Sequence, residues 1–225
     1  LKNSTIIYPP LPIQKQIVAK LDHVLGELEV KKKEILSLIE QNKQRIDFFE
    51  KNWMSYVIDR EIEKHPQREE WELKKLGDSN VSEIIMGQSP PSSTYNTEQN
   101  GLPFFQGKKD FGDKFPTTRT WCNKPKKIAK KGDILISVRA PVGSTNWAKE
   151  ECCIGRGLSA IRVKIEPEYV YYFIKSLEYK LSKSGTGSVF NSISKDFLFQ
   201  IQIPVPDTSI QKQIVAKLDH ILGEL

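Results

Sequence analysis

From Ile13 to about Tyr56 the apolar side chains keep a seven-residue frame. Leu21, Leu28, Ile35, Phe49 and Tyr56 fall on it, with Ile17, Val24 and Leu38 at the intervening seam. One long helix is predicted, about 70 Å from Ile13 to Ile58 at roughly 1.5 Å per residue, long enough to act as a spacer. Leu25, Ile39, Ile46 and Trp53 widen the stripe beyond a two-stranded seam, so one flank is expected to pack against a globular body or a partner. Asn42 falls on the Leu21 frame, where a polar residue either fixes register and partner number or faces water. Pro9, Pro10 and Pro12 stand before the helix, and His65-Pro66 marks its expected end.

From about Arg68 to Pro206 the pattern changes to short apolar runs separated by Gly, Pro, Ser and Asn. Val81 to Met86, Leu102 to Gln106, Asp133 to Arg139 and Leu158 to Ile165 read as strands, the last alternating Ile161, Val163 and Ile165. Glu168 to Lys183 reads as a helix with Val170, Phe173, Ile174, Leu177 and Leu181 on one face. Pro204 and Pro206 repeat the punctuation seen before the first helix, and a second helix is expected near Ile210. The fold class is therefore α+β, a globular domain attached to a coiled-coil-type spacer helix.

The two helical ends share one sentence of sequence. IQKQIVAKLDHVLGEL at Ile13 to Leu28 returns as IQKQIVAKLDHILGEL at Ile210 to Leu225, with fifteen of sixteen positions identical and Val24 matched by Ile221. Such identity marks a duplicated unit, used either for symmetric helix pairing or for nothing.

Composition narrows the class. A chain of 25.8 kDa with 38% hydrophobic residues can close one full core plus an extension. It shows no apolar run long enough to span a membrane and no basic-then-apolar leader, which gives a cytoplasmic expectation. Cys122, Cys152 and Cys153 form no CxxC pair, so a disulfide framework and a zinc site are both disfavoured and the thiols are expected to be buried or idle. The net charge of +6 is uneven. Between Phe104 and Lys131 stand nine basic residues, Lys108, Lys109, Lys114, Arg119, Lys124, Lys126, Lys127, Lys130 and Lys131, against Asp110 and Asp113. With Phe111, Phe115 and Trp121 interleaved, this stretch reads as a nucleic-acid surface or as a solvated lysine-rich loop.

Catalytic readings fail on their contexts. Gln88-Ser89-Pro90-Pro91-Ser92 superficially matches the Asn-Pro-Pro-aromatic loop of amino-methyltransferases, but the amide-bearing position is serine, the aromatic is missing and no glycine-rich cofactor turn follows a strand. Asp22 with Glu29-Val30-Lys31 mimics a nuclease spacing on what is a charged helix face. His23 and His220 neighbour Asp22 and Asp219 in sequence, and adjacent residues on a helix do not face one another. Ser184-Gly185-Thr186-Gly187-Ser188 offers amides and hydroxyls to a phosphate or is a flexible turn. Gly155-Arg156-Gly157 lets backbone approach a partner closely, and Arg139 ends a strand. Both arginines have the geometry for bidentate contact with guanine or phosphate.

The ordered set WELKKLGD, MGQSPPSSTYN, GLPFFQGK, KKGDILISVRAPVG, IGRGLSAIRV, SGTGSVFNSISKDFLFQIQIPVP and IQKQIVAKLDHILGEL is similar to the DNA specificity subunit of type I restriction-modification systems. The resemblance implies 1–12 as the tail of a preceding recognition domain (its last strand from Leu1 to about Tyr8), 13–66 as a first conserved spacer helix, 67–206 as a target recognition domain and 207–225 as the start of a second conserved helix. It implies a non-catalytic subunit that reads one half of a bipartite duplex, docks methyltransferase subunits and joins a restriction subunit. S-adenosylmethionine and ATP then belong to partner chains, with no cofactor or metal in this one. The expected DNA-facing residues are Gln88, Ser89, Thr94, Tyr95, Gln106, Lys108, Lys109, Arg119, Lys124, Arg139, Arg156, Thr186, Ser188 and Asn191. Gln88, Gln106 and Asn191 suit adenine edges, the arginines guanine and the lysines phosphate. The expected partner or dimer stripe is Ile17, Leu21, Val24, Leu28, Ile35 and Leu38 with Ile214, Leu218 and Ile221, and the chain is expected to self-associate. Two other classes fit less of the set: a helical scaffold that never touches DNA, and the specificity portion of a fused restriction-modification enzyme.

Overall fold

The computed structural model describes residues 8–183 and 192–223, and their side chains apart from those of 45–56, 179, 180, 182, 183 and 223. The elements run α1 (Leu11–Glu63), β1 (Glu72–Lys75), β2 (Ser82–Met86), β3 (Tyr95–Asn96), β4 (Leu102–Phe105), β5 (Trp121–Cys122) and β6 (Ile128–Ala129). They continue with β7 (Ile134–Ser137), β8 (Thr145–Trp147), β9 (Cys152–Ile154), β10 (Leu158–Val163), α2 (Pro167–Lys183), α3 (Lys195–Gln200), β11 (Gln202–Val205) and α4 (Thr208–Gly223). The fold is α+β, as the sequence pattern predicts. The chain divides into two units, one up to Lys51 and one from Asn52 onward.

The first unit is the greater part of α1. Its start follows from backbone chemistry: Pro9 and Pro10 lie outside, Pro12 sits in the first turn where its missing N–H costs nothing, and the Gln14 amide donates back to the Pro9 carbonyl at 2.7 Å. Ile17, Leu21, Val24, Leu28, Ile35 and Leu38 are all exposed, as are Leu25 and Ile39. Ile46, Phe49, Trp53 and Tyr56 fall outside the described side chains. These side chains form an uncovered apolar stripe along the described part of this unit.

The second unit is layered. A four-stranded sheet in the order β2-β10-β7-β8 carries apolar side chains on both faces. Alternation along each strand sorts them: Ile134, Ile136, Ile84 and Ile161 face one cluster, while Leu135, Leu158 and Ala160 face another. The first cluster is covered by α2 through Tyr169, Val170, Phe173 and Ile174, by α4 through Ile214 and Leu218, and by the last turns of α1 through Ile58 and Ile62. Leu177 and Leu181, predicted on the same α2 face, pack partly buried against it. The second cluster lies against the five-stranded sheet β3-β5-β4-β9-β6. Because β7 and β10 are buried on both faces, the one-sided alternation read in Leu158 to Ile165 holds only near the strand's end. α1 ends at Glu63, ahead of Pro66, whose ring disfavours helix in the residue before it.

The duplicated stretch is used differently by α4 than a partner stripe requires. Ile214 and Leu218 are buried in this unit's own core, and Ile221 is half-buried. The expected partner-facing role is therefore revised for Ile214 and Leu218, because side chains already packed on their own domain are not available to another chain. Gln211 is buried too: its amide donates to the Pro206 carbonyl at 2.7 Å and its carbonyl oxygen accepts from the Glu166 amide at 3.3 Å.

A charged cluster closes one end of the central sheet. Arg162 donates to both carboxylate oxygens of Asp133, at 3.2 and 2.9 Å, and to Glu83 at 3.1 Å, and buried Asp133 also accepts the Lys130 amide at 2.8 Å. This arginine is spent on structure.

The three cysteines are buried and unpaired. Burial, reinforced by neighbouring Cys153 and Asp133, pushes the Cys152 thiol up to about 12, and burial pushes Cys153 up to about 11. The thiolate is the reactive form. Alkylation of the native protein at pH 8, followed by mass spectrometry, is therefore expected to leave Cys152 and Cys153 unmodified until denaturant is added. Native labelling at the rate of a free thiol would contradict the buried placement.

Candidate nucleic-acid interface

The end of the central sheet opposite the Arg162 cluster gathers several loops. The Gly87 amide donates to the Leu158 carbonyl at 2.9 Å and Gln88 to Ile154 at 3.0 Å, tying the loop after β2 to the turn between β9 and β10. Gly155 donates to Phe105 at 2.8 Å, which brings in the residue after β4, Gln106. Val138 donates to the Gly157 carbonyl at 2.9 Å, and Arg139 pairs with Ser192 in an isolated antiparallel bridge. Gln88, Gln106, Arg139 and Arg156, dispersed through the sequence, thus meet at one place with their side chains exposed.

Ser89 and Tyr95 stand beside them, half-buried. The Ser89 hydroxyl accepts the Arg156 amide at 3.2 Å. The Tyr95 ring packs tilted on Phe104 with centroids 4.7 Å apart and its hydroxyl donates to the Pro90 carbonyl at 2.6 Å, so it braces the Gln88 loop. Burial raises the Tyr95 pKa, with the nearby Arg156 charge acting in the opposite direction. Thr94 is buried and its hydroxyl is committed to the Pro91 carbonyl at 2.7 Å, which leaves it no free polar group to present.

The basic stretch is a built loop. Asp110, buried, accepts the Gln106 amide at 2.6 Å and the Gly107 amide at 3.3 Å, and its carboxylate lies 3.8 Å from Arg119. Arg119 also donates to the Lys109 carbonyl at 3.0 Å. Buried Asn146 on β8 clamps Gly112 from both sides, accepting its amide at 3.2 Å and donating to its carbonyl at 2.9 Å. Lys108 stands 3.8 Å from Glu178, and Lys109 is exposed. This geometry fixes Lys108, Lys109 and Arg119 in the loop that follows Gln106, the residue through which that loop joins the Arg156 turn. Lys124 lies two residues beyond Cys122, which pairs with Leu102 at the start of β4 and with Tyr95 on β3, so it stands on the Tyr95 side and away from Gln106. Thr186, Ser188 and Asn191 lie outside the described residues.

Sequence reasoning missed Asp110 and Asn146, whose role is to hold a loop rather than to touch a ligand. Asp110 carries the one available signal, an acid within a basic run. Gly155 and Gly157 were read as letting a partner approach, but the approach they permit is to this chain's own backbone: a methyl at Gly157 would run into the Gln106 carbonyl, and one at Gly87 into that of Gly155. Among the described residues no group of three His, Cys, Asp or Glu is placed to hold a metal, and no helix is long and apolar enough to cross a membrane.

The site is thus an exposed group of amide and guanidinium side chains on an α+β domain, next to the loop that carries Lys108 and Lys109. The family profile described as the type I restriction modification DNA specificity domain matches residues 68–225. A putative type I restriction enzyme MjaX specificity subunit of Methanocaldococcus jannaschii is 39% identical over 98% of this chain and 53% of its own length. The crystal structure of the HsdS subunit from Thermoanaerobacter tengcongensis superposes with a TM-score of 0.66 at 43% identity, covering 96% of this chain and 52% of that one. A chain from work on complex assembly and conformational transition of the type I R-M system gives 0.70 at 44%, covering 96% and 53%. The protein belongs to the type I restriction-modification DNA specificity family. It spans about half the length of the relatives named here.

Proposed function

We propose that this chain is a non-catalytic DNA-reading component of a type I restriction-modification complex. Its globular unit reads one half of a bipartite duplex target, and α1 serves as the spacer that docks methyltransferase subunits. A restriction subunit completes the assembly in the cytoplasm, and the methyl donor and ATP are bound by the partner chains. The observation that carries the reading is the meeting of Gln88, Gln106, Arg139 and Arg156 at one sheet end beside Lys108 and Lys109. Bidentate amides and guanidinium groups read base edges, and lysines neutralise phosphate.

The exposed stripe on α1 supports self-association, or coverage by a further recognition domain. Gln14 repeats the Gln211 bond to a proline carbonyl at the same 2.7 Å, and Ile17 and Leu21 match Ile214 and Leu218. The α1 copy is exposed where the α4 copy is buried on a domain.

The test is selection of duplexes from a random pool with the methyltransferase subunit supplied. Enrichment of a defined half-site is expected. No enrichment at low salt would reject the DNA-reading role and leave a scaffold that joins proteins only.

A further inference from the structure

We infer that the tripeptide Gly155-Arg156-Gly157, clasped by Ser89, is a positioning hub that sets the aim of several base-reading side chains at once. The inference rests on the DNA-reading function proposed above and assigns parts within it. Four of the six backbone N–H and C=O groups of the tripeptide are hydrogen-bonded. Gly155 donates to the Phe105 carbonyl at 2.8 Å and its own carbonyl accepts the Leu158 amide at 3.0 Å. The Arg156 amide goes to the Ser89 hydroxyl at 3.2 Å, and the Gly157 carbonyl takes the Val138 amide at 2.9 Å.

Three of these bonds land next to a candidate reader, and the fourth closes the turn on Leu158. Phe105 precedes Gln106, Val138 precedes Arg139, and Ser89 follows Gln88. The approaches at Gly157 and Gly87 exclude a side chain, and the one at Gly155 is tight. A methyl at Gly155 would come within 3.2 Å of the Ser89 hydroxyl and the Phe104 ring, one at Gly157 would meet the Gln106 carbonyl, and one at Gly87 the Gly155 carbonyl. Three loops are thereby locked backbone to backbone, while the Arg156 side chain alone leaves the hub into solvent.

Fixed backbone matters here because a bidentate contact tolerates little displacement, and a flexible arginine gains its selectivity only when its root is held. Ser89 is thus a positioning residue. Its hydroxyl serves the Arg156 amide in the first place, so its effect on sequence preference runs through Arg156. Gly157 acts more widely, since it faces Gln106 on one side and the strand leading to Arg139 on the other.

The experiment compares base-preference profiles of wild type, Arg156→Ala, Ser89→Ala, Ser89→Thr and Gly157→Ala, each with the methyltransferase subunit and each checked by thermal unfolding. Arg156→Ala is expected to erase preference at one position of the half-site, by roughly 5- to 150-fold. Ser89→Ala should weaken preference at that same position by several-fold and leave the others intact, with Ser89→Thr restoring it. Gly157→Ala should blur that position together with at least one more. The hub is overturned if Ser89→Ala lowers affinity equally for all sequences, if it changes nothing, or if Arg156→Ala alters no position. Those results leave the DNA-reading function standing, whereas failure of the wild type to select any half-site overturns both. Ser89→Ala introduces no added bulk, so the outcome does not depend on Gly157→Ala folding.

Discussion

Replacing Leu218 by alanine is expected to destabilise the globular unit by about 2–5 kcal/mol, whereas the same replacement at Leu21 leaves its unfolding within about 0.5 kcal/mol. The two leucines sit at matching places in the same IVAKLDH sequence. Leu218 is fully buried, in a cluster with Ile58, Ile62, Tyr169 and Ile174, and its truncation removes packing that the rigid neighbours do not refill. Leu21 is 55% exposed and belongs to none of the buried clusters among the described residues. Its expected cost is intermolecular. Sedimentation velocity should show Leu21→Ala shifting any self-association toward monomer while Leu218→Ala lowers the denaturant midpoint. The unfolding comparison belongs at low protein concentration, because association itself stabilises the folded chain by mass action. Equal losses from the two substitutions would mean that the copies are buried alike and would contradict the asymmetry described above.

That asymmetry marks a limit of reading sequence. Two nearly identical stretches carry the same pattern, and periodicity identifies both as helices, yet which one is covered by a domain depends on what the fold brings to it. Long, periodic elements were legible: α1, α2 and the strands within Val81 to Met86, Leu102 to Gln106, Asp133 to Arg139 and Leu158 to Ile165. The two- and three-residue strands β3, β5, β6, β8 and β9 are too short to show a period. β11 contains Pro204, read from sequence as punctuation. It is tolerated because this strand pairs only with β1, in a two-stranded sheet. α3 is six residues long, and its sign was the Ser194 cap, whose hydroxyl accepts the Phe197 amide at 3.1 Å.

The candidate interface divides in the same way. Arg139 and Arg156 stood out in sequence because one ends a strand and the other lies between glycines. Their meeting with Gln88 and Gln106 depends on antiparallel pairing of β10 with β2 and β7 and on the parallel pairing of β4 with β9. Arg162, of the same residue type, is held by Asp133 and Glu83 at the other end of the sheet. Composition treats the three arginines alike, and among the described residues Arg162 is the one of the three with carboxylate partners.

Between 50 and 200 mM salt, affinity for the preferred duplex is expected to fall roughly 500-fold if about five phosphates are neutralised, since the slope is near −0.9 per phosphate. The nine basic residues from Lys108 to Lys131 do not contribute equally to that slope. Lys109 is exposed and Lys108 lies at the edge of the Glu178 carboxylate, both in the loop that follows Gln106, so if both contact phosphate, replacing the two by glutamine should reduce the slope by roughly 1.8. The base-preference profile should survive, because a phosphate contact carries affinity without sequence information. Arg119→Gln should matter less for the slope and more for the loop, since Arg119 already faces Asp110 at 3.8 Å and bonds Lys109 at 3.0 Å. Lys124→Gln should leave the slope unchanged, because the β4–β5 pairing puts Lys124 at the end of the sheet away from Gln106. Fluorescence anisotropy on one labelled duplex across that salt range separates these cases. If Lys124 lowers the slope and the Lys108 and Lys109 pair does not, the duplex runs along the other end of the five-stranded sheet, and the interface drawn around Arg156 is the wrong one.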